Sequence, residues 1–178
     1  MNFQLASMAI AMPAVHGHPN REAFRGVLTL VDTPSDKPPA GSRGHRVILT
    51  RTAAERALPS LLGMALDYSP SFDRHDARRK IGVITGAEIT GKELELSGYL
   101  FAKDFPEIIK QIESGIIHAS ATPRRRTPNP LGMSYEISDA SVADVRAKIW
   151  TLTHVTFTGA AILRRDKAAY RNTWIEME

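Results

Sequence analysis

The chain predicts an α+β fold: a mostly antiparallel β-barrel-like domain with flanking helices. Three observations predict it. Short apolar runs rich in β-branched residues recur between clusters of Gly, Pro, Ser and Asp. Two segments carry helix-start signals. One stretch, Leu131 to Leu163, holds two strand-like runs near enough in sequence to pair.

At 178 residues the chain suffices for one domain with a real core and is short for two. Its 43% hydrophobic and 24% charged residues exclude wholesale disorder. With no cysteine, disulfides, thiolate metal sites and a cysteine nucleophile are excluded. A net charge of +4 helps an acidic partner without requiring one. No apolar run approaches the ~20 residues of a membrane span. Met8 to Val15 is apolar but follows no basic segment, so it is not read as a signal peptide, and a cytosolic protein without membrane contact is expected.

Residues 1–22, with two prolines and little periodicity, read as a flexible leader. Phe24 to Val31 is a first strand, and the loop from Thr33 to Gly44 is too rich in Pro, Gly and Ser to pack. Arg46 to Thr50 is a second strand. Thr52 and Glu55 have capping-box spacing and open a short helix through Leu62, kinked or broken at Pro59 and stopped at Gly63. A polar loop ends at His75 and Asp76. Ile81 to Ile84 and Glu93 to Phe101 are strands about a Thr90-Gly91-Lys92 turn, and Leu94, Leu96, Gly98 and Leu100 share one face of the second. Asp104 caps the next helix, Pro106 sits in its first turn, Ile108, Ile109 and Ile112 form its apolar face, and Gly115 ends it. Ile116 to Ala121 is a short strand, and Arg124 to Arg126 an exposed loop. Residues 173–178 read as a tail beyond a domain of residues 23–172.

The two central strands carry the chemistry. Ser134 lies in an apolar frame, and Ile149 to Phe157 places Trp150, Leu152, His154, Thr156 and Thr158 on one face if pairing is regular. A histidine among apolar strand residues needs a hydrogen-bond partner, and Ser134 is a candidate. A serine beside a histidine on adjacent strands has the makings of a nucleophile and its base. Taken singly, Ser134, His75 and His154 are more often ordinary strand or surface residues. His16, His18, His45 and His118 are read as ordinary too, and the histidine spacing supports no metal or other cofactor.

Three segments resemble the prohead maturation proteases of tailed phages, which are related in fold to the herpesvirus assemblins. His75-Asp76 followed by Ile81-Gly82 resembles the "H-D … I-G" segment. Gly132-Met133-Ser134-Tyr135 resembles the "G-M-S-aromatic" segment. Leu152 to Ala160 resembles the "L-(E/H)-V-S-x-V-x-x-P-A" segment, with Ala160-Ala161 in place of proline-alanine. The resemblance covers about Phe24 to Tyr170. It implies that residues 23–172 are a protease domain, a serine endopeptidase with a Ser134-His75-His154 triad. It also implies that Arg164 or Arg165 helps form the oxyanion hole, although both lie two residues further from the histidine than in assemblins. The stretch from Gly115 to Pro130 looks inserted, which makes Ser120 a rival nucleophile at the spacing the helix suggests. The implied substrates are scaffold and capsid protein and the protease itself, within a procapsid in the host cytoplasm; a homo-oligomer is left open. The alternatives are a non-catalytic capsid- or scaffold-binding module with the same fold, and a basic nucleic-acid-binding domain. The arginine run lacks interleaved aromatics, so no nucleic-acid role is expected.

Overall fold

The computed structural model describes residues 18–120 and 130–178, with residues 115–120 as backbone alone. Strands β1 (Arg21–Leu30), β2 (Arg46–Leu49), β3 (Ala65–Tyr68), β4 (Lys80–Thr90), β5 (Glu93–Phe101), β6 (Leu131–Val142), β7 (Ile149–Arg164) and β8 (Trp174–Met177) form one sheet, with helices α1 (Arg51–Ala57) and α2 (Pro106–Ser120). The sheet order is β2-β7-β3-β4-β5-β1-β8, and β6 pairs with β7. The architecture is α+β and mainly antiparallel, as the alternating runs predict.

Two pairings are parallel, β2 with β7 and β3 with β7. Leu152 pairs with Leu49 on one side and Val142 on the other, while Ala161 pairs with Asp67 and Ser134. β6 therefore runs along one edge of β7, and β2 and β3 lie end to end along the other. α1 and a 3₁₀ turn (Leu58–Leu61) cross the gap between them. There the Phe157 N–H donates to Ser60 Oγ at 2.9 Å instead of to a strand.

The sheet curls because β6 folds back over β1 and β8. The Met133 N–H donates to Thr173 Oγ1 at 3.2 Å, and Met133 Cε would sit 2.8 Å from a Cβ on Gly26. A side chain at Gly26 would also run into the Trp174 carbonyl, so the curl needs glycine there. Phe24, Leu28, Leu49, Leu66, Ile84 and Phe157 fill the enclosed core.

Several elements differ from the sequence expectation. Thr50, not Thr52, caps α1, accepting from the Ala53 N–H at 3.2 Å. Pro59 converts the helix to a 3₁₀ turn, and Gly63 stops it at φ +80. Phe105 accepts the first N–H groups of α2, and Asp104 instead accepts from the Asn20 side chain at 2.7 Å. α2 continues through Gly115 to Ser120, so no strand forms over residues 116–120. An interior glycine costs only about 1 kcal/mol, and no proline follows before Pro123. The expected tail contains β8, antiparallel to β1, with Thr173 and Ile175 buried. The expected leader contributes Arg21 and Glu22 to β1; residues 1–17 and Arg124 to Arg126 lie outside the described residues.

Candidate active site

His75 sits in the irregular segment between β3 and β4, where local polar bonds set the backbone. Ser69 is buried, and its hydroxyl donates to Asp73 Oδ1 at 3.0 Å and accepts from the Asp73 N–H at 3.2 Å. Ser71 Oγ donates to the same carboxylate oxygen at 2.6 Å. These hydroxyls hold the Asp73 carboxyl below its usual pKa. Phe72, with φ +51, buries its ring beside Tyr68, and its carbonyl accepts from the Arg164 N–H at 2.8 Å. The Asp76 N–H then donates to Asp67 Oδ1 at 3.0 Å. His75 is thus fixed on both sides, to β7 through Phe72 and to β3 through Asp76.

β6 supplies the surface that His75 faces. Residues two apart on a strand share a face, so Ser134 and Glu136 point the same way, their Cα atoms about 7 Å apart. Both line an open cleft of about 1150 Å³ together with His75. Glu136 is opposite Gly159 in the β6–β7 register. A Cβ on Gly159 would lie 3.0 Å from Glu136 Oε2 and 3.4 Å from the Ala65 carbonyl, so the missing side chain makes room for the carboxylate.

His75 Nδ1 lies 3.1 Å from Glu136 Oε1, and both side chains are about a quarter exposed (26% and 27%). The contact lacks the alignment of a hydrogen bond, and Nδ1 is buried without a hydrogen-bond partner. Asp67 completes the cluster. One donor atom from each of Asp67, His75 and Glu136 falls within 4.8 Å of the others. Asp67 is fully buried; Oδ2 has no hydrogen-bond partner, and the Lys80 ammonium is 4.0 Å away. Burial raises the Asp67 carboxyl pKa, opposed by the Asp76 N–H and by His75. Of the five buried unpartnered side-chain atoms among the described residues, two, Asp67 Oδ2 and His75 Nδ1, are here. Such atoms concentrate where function holds them.

His154 is not brought to this cluster. It lies on the strand next to Ser134's, but its register partner is Ser141, whereas Ser134 pairs with Ala161. Seven residues along β7 separate the two positions, roughly 20 Å. Two register shifts also rotate it outward. Three β6 residues span two of β7 between Ser138 and Ser141, where Asp139 has φ +50, and two β7 residues span one of β6 between Ser141 and Val142. The alternation therefore slips: Leu152, Val155 and Phe157 are buried, and Thr153 and His154 are both exposed. This corrects the expected third member of the triad.

Arg164 is held by Asp166 through two bonds of 2.9 and 2.7 Å, and Arg165 Nε donates to the Leu131 carbonyl at 3.3 Å. Neither guanidinium is directed at Ser134 by these bonds. Ser134 lines the same cleft as His75. Ser120 ends α2, and its side chain lies outside the described residues. The residues that the sequence reading missed are Glu136 and Asp67. Glu136 had a usable signal, its spacing of two from Ser134 on a strand; Asp67 had none, since a single acid in a four-residue strand marks nothing.

What the fold and the site define is a curled mixed β-sheet domain with a serine–histidine–carboxylate cleft. Among solved structures, the chain is similar to KSHV protease in complex with a hexapeptide phosphonate inhibitor, with a TM-score of 0.43 and 14% identity over 80% of this chain and 59% of that one. The chain thus spans less than two thirds of that protein's length. No protein-family model and no curated protein matches the chain.

Proposed function

We propose that the chain is a serine endopeptidase in which Ser134 is the nucleophile, His75 its base and Glu136 the group that orients the base. One observation carries this reading: Ser134 and Glu136 share a face of β6 and line one open cleft with His75, whose Nδ1 is 3.1 Å from Glu136 Oε1. Nε2 is then the nitrogen left for the serine. In this mechanism His75 Nε2 takes the Ser134 proton as Oγ attacks the scissile carbonyl, and returns it to the leaving amine. Water then hydrolyses the acyl-enzyme by the same proton path in reverse. Glu136 Oε1, 3.1 Å from Nδ1, holds the other proton there once the ring turns into hydrogen-bond alignment on substrate binding, and stabilises the imidazolium. Hydrogen bonds to the unreacted serine are commonly long without substrate and tighten as it binds.

The finer reading follows from the sequence resemblance. The substrates are the scaffold and capsid protein and the protease itself, cut inside a procapsid of a tailed phage in the host cytoplasm. The cleft, open to solvent and lined by Val142, Trp150 and Leu152 away from the histidine, suits an extended peptide.

The test is labelling of the full chain with a peptide phosphonate, located by mass spectrometry, alongside cleavage of a scaffold-derived peptide. The expected result is modification at Ser134, with both labelling and cleavage lost in Ser134→Ala. Label on Ser120 would move the nucleophile to the end of α2. No label and no cleavage under any assembly condition would leave a binding module with this fold.

A further inference from the structure

We propose that Asp67, His75 and Glu136 form a binding site for a divalent first-row transition metal of the zinc class, and that metal bound there switches the site off. The regulatory half rests on the protease reading; the binding half does not.

Three observations carry the site. The donor atoms come from three separate elements, β3, the β3–β4 segment and β6, yet converge within 4.8 Å. The tightest pair already has the right spacing. Donors around tetrahedral zinc, with bonds of ~2.0–2.2 Å, lie about 3.3 Å from one another; His75 Nδ1 and Glu136 Oε1 are 3.1 Å apart without the alignment of a hydrogen bond. Third, Asp67 is fully buried and its Oδ2 lacks a hydrogen-bond donor. A buried carboxylate oxygen without a donor is costly unless something cationic answers it. Lys80 answers only from 4.0 Å, on a 41% exposed side chain that is free to swing out.

The donor set selects the ion. One imidazole nitrogen with two carboxylates suits zinc and its neighbours, whereas magnesium and calcium favour oxygen alone. Three protein ligands leave a fourth position for water, on the side of the cleft that His75 and Glu136 line.

The switch follows from which nitrogen binds. A metal on Nδ1 takes the lone pair there and fixes the ring proton on Nε2. Nε2 then can donate but cannot accept, so it cannot take the proton of Ser134. The metal also withdraws Glu136 from its orienting role. Binding should therefore inhibit, and chelation should restore activity.

The experiment uses the full chain after dialysis against EDTA. Zinc binding is followed by calorimetry and Co²⁺ binding by visible absorption, for wild type, Glu136→Gln, Asp67→Asn and the His16→Ala/His18→Ala pair. The expected result is one zinc-competitive Co²⁺ site in wild type, kept in the histidine pair and weakened at least about 10-fold in Glu136→Gln. Asp67→Asn should weaken it too. If that buried change unfolds the chain, by circular dichroism, the partly exposed Glu136→Gln carries the test. Wild type that binds no zinc, or a folded Glu136→Gln that binds as tightly as wild type, would overturn the site. Cleavage of the scaffold-derived peptide separates the two readings. Metal bound at these residues in a chain that cuts nothing even after chelation leaves the site standing and removes the protease. A chain that cuts and ignores zinc keeps the protease and removes the switch.

Discussion

His75 and His154 occupy opposite kinds of structure, and their fates run against their settings. His154 is in a sixteen-residue strand of regular apolar pattern, where side-chain direction looks settled; His75 is in an irregular stretch between two strands. Yet His75 is the one held against other chemistry, 3.1 Å from Glu136, while His154 is exposed opposite Ser141. The difference lies in how each backbone is fixed. Around His75, Ser69, Ser71, Asp73 and Asp67 bond the chain to itself and to β3, and buried Phe72 anchors it. Around His154, the opposite edge of β7 falls in the gap between β2 and β3, and bulges on both β6 and β7 absorb the mismatch. A loop with many side-chain bonds can position a residue more firmly than a strand whose ladder is interrupted.

The sharpest break of this comparison is a pair of alanine variants. His75→Ala should lower the cleavage rate by about 10²–10⁴-fold, the usual worth of a general base, and His154→Ala should change it by less than about twofold, as expected away from the chemistry. Equal losses in the two variants, measured as kcat/KM on one peptide, would restore His154 to the site.

Glu136→Gln should cost less than removing the base, in kcat with KM little changed, because the ring loses its orienting charge and not its proton acceptor. Circular dichroism and the melting temperature separate this from mere structural damage: both should match wild type in the variant, since only the carboxylate 3.1 Å from His75 Nδ1 is changed.

A smaller effect tests the loop. Asp73→Asn should lower kcat/KM a few-fold by loosening the Ser69 and Ser71 bonds. It should also change acid stability. The folded Asp73 pKa is lowered, chiefly by Ser71 and then by Ser69. Its stabilising contribution is therefore present above the unfolded value, near ~3.9, and is lost as pH falls through the lower folded one. Melting temperatures of wild type and variant should converge at the acid end; a constant gap from pH ~7 down to pH ~2 would contradict this.

The smallest expected effect is at Gly159. Gly159→Ala places a methyl 3.0 Å from Glu136 Oε2 and 3.4 Å from the Ala65 carbonyl. The carboxylate must give way by a few tenths of an ångström, so a loss of activity of about two- to fivefold with an unchanged melting temperature is expected. A cooperative loss of stability would instead mean that the glycine serves packing between β3 and β7.

What the sequence determined by itself is local. The buried face of β5, with Leu94, Leu96 and Leu100, follows from alternation. The turn at Gly91, with φ +57, and the break at Pro59 follow from backbone chemistry carried by single residues. Ser134 and Glu136 share a face for the same local reason, and that much of the site was legible. Only the tertiary structure decided which residue meets them. The parallel seats of β2 and β3 on β7, β8 joining β1 through what looked like a tail, and the bulges that turn His154 outward depend on partners far along the chain. Asp67 enters the cluster for that reason alone: β3 must first lie beside β7 before its single acid can be buried under His75. Alternation reports which residues share a face only while pairing stays regular, and regularity is a property of the assembled sheet.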